Sequence, residues 1–348
     1  MSDAIVATFA PTVLAVLIAF VVALVVVRIA IAYAQRRGMY DQPGQRRSHK
    51  LPTPRGGGIG IIVAVLPTMP ACLIYMRPSW PLLVAITLLA AVVLVALIGW
   101  WDDHRSLPVL PRFGVQLLAV ALFSSALLMD GSGWLWLPLL VLAGAWSINL
   151  HNFMDGIDGL LAQQGIFVAC GLALLAWGVG QLALAGASAS LAAACLGFWC
   201  YNRSPARIFM GDVGSGSVGL LLFALSAMLW RVNEALLWPA LILSSAFMTD
   251  ASLTLLVRIL QGRRWYTAHR EHLYQWIVRR GHTHTVGAVW YLGWNLLVAA
   301  PLAALALGRP GMGLVACIVT YVIAAVVWLS VKHRLIQRDR YKVRHVHT

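Results

Sequence analysis

The chain has 348 residues, of which 60% are hydrophobic and only 11% charged. A soluble domain of that length needs more charge to cover its surface, so the composition excludes an ordinary soluble protein and points to the bilayer. The net charge of +14 is spread over short loops between apolar runs, a pattern that argues against a nucleic-acid partner.

In chain order, apolar runs lie near 8–31, 57–76, 81–100, 113–129, 134–150, 160–178, 183–200, 214–230, 237–257, 286–307 and 311–331. Each approaches the roughly 20 residues that a helix needs to cross a bilayer core. The pattern predicts an all-α integral membrane protein, a polytopic bundle of about 11 transmembrane helices. The first run is long and has no basic flank before it, so it reads as a span rather than a cleaved signal. Gly178 and Gly180 mark the turn between the sixth and seventh runs.

Basic residues set the orientation. With the N-terminus outside, 22 of the 26 Lys and Arg fall in inside loops or in the tail after residue 331. Arg77, Arg231 and Arg309 fall outside, and Arg28 lies within the first run. The positive-inside rule then places the C-terminus in the cytoplasm. All five cysteines sit in apolar runs without a CxxC pair, so neither a disulfide nor a zinc site is expected.

The acids are more informative. Asp102, Asp103, Asp155, Asp158, Asp212, Asp250 and Glu271 all lie in, or near the end of a span facing, an inside loop. The positive-inside rule says little about acids, so this one-sidedness needs another cause. Carboxylates gathered among arginines at one membrane face suggest a site for a metal and an anion.

Four clusters stand out. Asp102-Asp103 ends the third run; neighbours on a helix point in different directions, and an isolated pair reads equally as a solvated helix end. Asn149, Asn152, Asp155 and Asp158 recur every third residue along one drifting helix face, and four oxygen-bearing side chains at that spacing suit a hard cation. Gly156 and Gly159 favour a break there, and the plainer reading is a polar loop. Met210-Gly211-Asp212-Val213-Gly214-Ser215 reads as a helix N-cap, as close helix packing, or as a phosphate-binding helix N-terminus. Arg263 to Gln275 mixes Arg and His with aromatics, which suits a phosphate and a stacked base, or else an interfacial anchor. Asp250 stands apart inside an apolar run, where an ionisable group is costly; Arg258 or a polar group on a neighbouring span is its expected partner.

Taken together, these clusters resemble the polyprenyl-phosphate N-acetylhexosamine-1-phosphate transferase family, also called glycosyl transferase family 4. The resemblance runs the length of the chain. It begins with Arg46-Arg47-Ser48-His49-Lys50 and Pro54-Arg55-Gly56-Gly57-Gly58, and continues through Asp102-Asp103, the Asn–Asp block and Gly211-Asp212 to Asp250 and His269-Arg270-Glu271-His272. Ser106 stands where enterobacterial-type members carry a third acid, and Tyr274 and Gln275 where they continue a histidine run. The peptidoglycan member's triple histidine is missing. The segment Asp102 to Pro108 looks more like the O-antigen-initiating branch that uses 6-deoxy sugars.

The resemblance implies an enzyme of the bacterial inner membrane, with its N-terminus periplasmic and its active site cytoplasmic. Residues 1–331 would form one transmembrane catalytic domain and 332–348 a basic cytoplasmic tail. The implied partners are undecaprenyl phosphate and a UDP-N-acetylhexosamine, with a second copy of the chain in a homodimer. The implied cofactor is Mg²⁺, or Mn²⁺ in its place, held by Asn152 and Asp212. Asp102, Asp103, Asp155 and Asp158 would be the catalytic carboxylates, the first two facing the lipid phosphate. Arg46, Arg47, His49, Lys50, Asn149, Asp250, His269, Arg270 and His272 would bind substrates. Two other classes fit parts of the pattern: an intramembrane prenyltransferase, through the Asn–Asp block, and a polytopic transporter, through Asp250.

Overall fold

The computed structural model describes residues 2–41, 52–75, 80–131, 133–264 and 269–346. Its helices are α1 (Ser2–Arg37), α2 (Ile59–Tyr75), α3 (Leu82–His104), α4 (Val109–Leu127), α5 (Leu137–Phe153), α6 (Leu160–Gly178) and α7 (Leu182–Asn202). They continue as α8 (Asp212–Val232), α9 (Leu237–Leu243), α10 (Ser245–Leu260), α11 (Leu273–Arg279), α12 (His284–Trp294), α13 (Ala300–Gly308) and α14 (Gly313–Val346). Among the described residues, nine helices are long and apolar enough to cross a membrane, or ten if the pair α9–α10 counts as one span. A shorter apolar helix covers Ile59–Ile74. The chain is therefore a predominantly helical, multi-pass membrane protein.

The ninth apolar run differs from the expected straight span. It bends by 73° between α9 and α10. Ser244 sits at the break, and its hydroxyl donates back to the Ala240 carbonyl at 3.1 Å, the kind of local bond that bends a helix. A short π-helical stretch, Asn295–Ala299, joins α12 to α13. α14 runs unbroken from Gly313 to Val346, so the expected domain boundary at 331 falls inside a helix.

Lipid tails are as apolar as leucine, so close packing rather than water exclusion holds helices together in a bilayer. The sequence supplies small residues for this. α7 is rich in Ala, Gly and Ser and packs against α1, α2 and α6. α8 carries glycines at 214, 216 and 219 and is the most enclosed span, packed on α3 and α5. The tightest approach is between Gly58 and Gly214, where a Cβ on Gly58 would lie 2.2 Å from the Gly214 Cα. Large apolar side chains such as Leu14, Leu17 and Val21 of α1 and Ile318, Val322 and Val326 of α14 face outwards, as a lipid-facing surface requires.

Two short strands, β1 (Tyr40–Asp41) and β2 (Thr53–Pro54), pair antiparallel with Tyr40 opposite Pro54. After β2 the chain runs beside residues 209–210. Phe209 N donates to Pro54 O at 2.8 Å, Gly57 N to Phe209 O at 2.9 Å and Gly58 N to Met210 O at 2.8 Å. These bonds fix the approach to α8 against the start of α2. Arg46, Arg47, His49 and Lys50 lie outside the described residues.

The Gly58–Gly214 contact leaves no room for a methyl group. Gly58→Ala is expected to lower stability by roughly 1–3 kcal/mol, read as an earlier thermal midpoint in detergent. An unchanged midpoint would mean that α2 and α8 part there without cost.

Candidate active site

The site is built on the N-terminus of α8. Asp103, at the end of α3 and 3% exposed, accepts from Asp212 N at 3.1 Å and Val213 N at 3.2 Å, one bond per carboxylate oxygen. A carboxylate there satisfies orphan helix donors and opposes the positive end of the helix dipole. Gly211 turns the chain at φ +75°, and a Cβ on it would lie 2.5 Å from Asp103 Oδ2. Arg55 donates to the Asp103 backbone carbonyl. Two sequence expectations change here. Asp103 points into the protein under α8 rather than towards a lipid phosphate. The first two N–H groups of α8 are already taken, so they do not bind a phosphate.

Asp102 points the other way, as adjacent helix residues must. Its Oδ1 accepts from Leu107 N at 2.6 Å, and its Oδ2 from Arg112 Nη1 at 2.5 Å. The same Arg112 Nη1 donates to Asp212 Oδ2 at 2.9 Å. One guanidinium nitrogen thus bridges carboxylates from α3 and α8. Asn152, near the end of α5, lies against Asp212 and donates to Ser215 Oγ at 3.1 Å. Asn149, one turn earlier, spends its amide on Gln116 Oε1 and Ala145 O, both at 2.8 Å. Its role in this arrangement is to tie α5 to α4.

The Asn–Asp block does not continue as one helix face. α5 ends at Phe153 and α6 starts at Leu160, with Gly159 at φ +76°. Asp155 and Asp158 therefore sit in a turn. Burial, then the charge of Asp103, pushes the Asp155 carboxyl up to about 7. Asp158 is different. Burial would raise it, but His284 Nδ1 at 3.0 Å, Ala206 N at 3.2 Å and Ser204 together hold it below the usual carboxylate range. Asp158 clasps the loop before α8 and the start of α12. Gly156 makes room for Tyr274, whose hydroxyl donates to the Phe153 carbonyl at 3.0 Å.

Tyr274 links this turn to the histidine segment. His272 stacks against Tyr274, with ring centroids 5.9 Å apart, and against Phe153, 6.3 Å apart. His269 stands 4.9 Å from His272, ring to ring. Burial, then neighbouring positive charge, lowers His269 to about 4; burial also lowers His272. Arg270 belongs to the same segment, and its carbonyl accepts from Arg279 Nη1 at 3.4 Å.

Asp250, 2% exposed, holds the segment in place. It does not pair with Arg258, which instead bonds Glu271 at 2.5 Å. Its oxygens accept from Leu273 N at 2.9 and 3.1 Å, Tyr291 OH at 2.6 Å, Trp328 Nε1 at 2.8 Å and Thr254 Oγ1 at 3.2 Å. With its acceptors so fully used, Asp250 positions the histidine segment and offers no free oxygen to a substrate.

Known proteins are similar in sequence over this region. Residues 85–230, which span Asp102 to Asp212, match the model of glycosyl transferase family 4. A decaprenyl-phosphate N-acetylglucosaminephosphotransferase from Mycolicibacterium smegmatis is 32% identical over 85% of this chain and 82% of its own. The chain belongs to glycosyl transferase family 4. Among other family relatives, a probable undecaprenyl-phosphate N-acetylglucosaminyl 1-phosphate transferase from Bacillus subtilis is 29% identical over 82% of this chain and 84% of its own. A phospho-N-acetylmuramoyl-pentapeptide-transferase from a Synechococcus strain is 34% identical over 62% and 63%. The protein is thus a family 4 enzyme.

The donor set fits the divalent cation that family resemblance implies. Among the described residues, no group of three His, Cys, Asp or Glu stands ready to ligate a metal. Magnesium does not need one, because it keeps several waters and takes one or two carboxylates together with substrate phosphates. Asp212 and Asn152, the pair that the resemblance assigns to the cation, lie side by side and supply one carboxylate and one amide oxygen.

Arg112 is the site residue that sequence reasoning assigned only to topology. A signal was present. Arg112 falls in the first turn of α4, where the helix dipole disfavours a cation, so its presence there asks for nearby acids. The Asp158–His284 pair gives a direct test of the turn. A double-mutant cycle of Asp158→Asn and His284→Gln should give a coupling of roughly 0.5–3 kcal/mol, measured by thermal unfolding. Purely additive effects would show that the two side chains do not act together.

Proposed function

We propose that this enzyme transfers an N-acetylhexosamine-1-phosphate from a UDP-sugar to undecaprenyl phosphate, giving a lipid diphosphate sugar and UMP. The single observation that carries this is the convergence of Asp102, Asp212, Asn152 and Arg112 from four helices at one end of the bundle. The names of the relatives supply the substrate classes. The bias of Lys and Arg supports a cytoplasmic site in a bacterial inner membrane, with the N-terminus in the periplasm.

In the reaction a phosphate oxygen of the lipid forms a bond to the β-phosphorus of the nucleotide sugar. The bond from that phosphorus to the bridging oxygen breaks, and UMP leaves with the electron pair. Phosphoryl transfer of this kind depends on positioning and charge neutralisation. The acceptor needs little help from a base, because a phosphate monoester with a second pKa of about 6 is largely dianionic at pH 7.

The protein's own groups divide that work. Asp103 fixes the start of α8 and so fixes Asp212. Asp102 aims Arg112, whose guanidinium binds and orients phosphate oxygens. Both oxygens of Asp102 are engaged, which supports single displacement over an aspartyl-phosphate route. Magnesium held by Asp212 and Asn152 would neutralise charge on the diphosphate. His269, Arg270 and His272 lie on the nucleotide side, and the basic loop holding Arg46, Arg47, His49 and Lys50 serves the lipid phosphate.

The test is transfer of label from β-³²P-UDP-GlcNAc, UDP-N-acetylfucosamine or UDP-N-acetylquinovosamine to undecaprenyl phosphate in purified membranes. Labelled lipid should form with Mg²⁺ and disappear with EDTA. Asp212→Asn and Arg112→Met should each reduce kcat by about 10²-fold or more, as expected when a group that stabilises transition-state charge is removed. Folded protein that labels lipid from none of the three sugars, or that carries a solute into proteoliposomes without turnover, would overturn the reading.

A further inference from the structure

The last membrane helix brings a cation to the site that the mechanism above does not use. Ala324, Trp328, Lys332 and Leu335 form one buried stripe on α14, at the three- and four-residue spacing of a helix face. That helix packs against α10 and α11. His333 and Arg334, the next residues, are exposed. A lysine near the end of a span ordinarily extends its amine to water. Lys332 turns inwards instead. It is 8% exposed, and its amine sits 4.1 Å from the centroid of the Trp328 ring.

Two bonds hold it there. Trp328 Nε1 donates to Asp250 Oδ1 at 2.8 Å, and Arg280 donates to the Leu335 carbonyl. α14 is therefore tied to α10 on one side of Lys332 and to the end of α11 on the other.

The local carboxylates, Asp250 and Glu271, act on Lys332 through space and make no direct bond to it. Glu271 is shared by Arg258 at 2.5 Å and Arg263 at 2.9 Å. Asp250 takes neutral donors, and the Trp328 ring carries the amine while its N–H bonds that carboxylate. Lys332 itself makes no ion pair or hydrogen bond among the described residues. The nearby histidines show a similar want of a partner. His269 and His272 each bury an Nδ1 with no hydrogen-bond partner among the described residues, the second lying 4.0 Å from Asp250 Oδ1. The charge of Lys332 acts on both rings. Buried groups in that state are costly. An anion with several acceptor oxygens would satisfy all three.

We propose that Lys332 acts with His269 and His272 to hold a phosphate group of the nucleotide sugar, as a positioning cation supplied by the last membrane helix. The proposal rests on the transferase reading above. A lysine ammonium is a compact charge with three donors, which serves a phosphate as a point charge without demanding one fixed planar geometry.

The experiment compares wild type, Lys332→Met and Lys332→Arg. Lys332→Met keeps the apolar stem and removes the charge. It should raise the KM for UDP-GlcNAc about tenfold or more, leave the KM for undecaprenyl phosphate unchanged and alter kcat by less than about threefold. Lys332→Arg should restore most of the loss. A second reading needs no turnover: the rise in thermal midpoint with inorganic pyrophosphate, present in wild type and lost in Lys332→Met. An unchanged KM in Lys332→Met would overturn the proposal. So would equal damage in both variants alongside a lowered midpoint, since that is the mark of a packing role. If wild type labels no lipid, the transferase reading fails, and the pyrophosphate shift still decides: loss in Lys332→Met supports the anion site, and no difference between the two proteins removes it.

Discussion

The site depends on one buried carboxylate, Asp103, meeting the first N–H groups of α8. A cap of this kind is worth about 1 kcal/mol in an exposed helix, and more is at stake inside a bundle, where an orphaned donor has no water to turn to. The contact also explains why its neighbours are glycine. Gly211 must adopt a positive φ, and any side chain there would strike the carboxylate it is meant to meet. The strand-like run from Pro54 to Gly58 then bonds along residues 209–210 and brings Arg55 to the same carboxylate's backbone. From this single point the positions of Asp212, Ser215 and Asn152 follow.

With that framework set, the acids separate by the direction in which each points. Asp103 faces in and builds. Asp102 and Asp212 face a shared guanidinium and keep it in place. Burial, and then the nearby charge of Asp103, pushes the Asp155 carboxyl up to about 7, whereas the donors around Asp158 hold it below the usual carboxylate range. Carboxylates of one sequence cluster are thus shifted in opposite directions, because one is buried beside another acid and the other is surrounded by donors. A site that must gather several phosphates needs this economy of negative charge, since every ionised acid in it repels the substrates.

Much of this was legible in the sequence. Long apolar runs are the strongest signal a chain can carry, and each predicted run holds a helix. The clusters at Asp102, Asn152 and Asp212 come together in space. What sequence did not show was which atoms meet. Arg112 bridges partners 10 and 100 residues away, and no local pattern records such a distance. For Asp250 the sequence offered Arg258 or a polar group on a neighbouring span; the second holds, through Tyr291 and Trp328, and Thr254 and Leu273 add to them. The bend at Ser244 was hidden because a hydroxyl in an apolar run leaves hydropathy almost unchanged. Lys332 was assigned to a basic tail for a similar reason: one residue cannot announce that the helix before it continues.

The donors around Asp250 also impose an order on biogenesis. A carboxylate in the apolar part of a helix costs on the order of 3 kcal/mol to insert alone. When α10 enters the bilayer, only Thr254 has yet been made close by. Leu273 and Tyr291 follow, and Trp328 comes on the final span. Until α14 docks, the carboxylate lacks its indole and the histidine segment lacks its support. The histidine segment is therefore completed last, and a chain that stalls before the last helix would carry Asp102, Asp103 and Asp212 without the fully bonded Asp250.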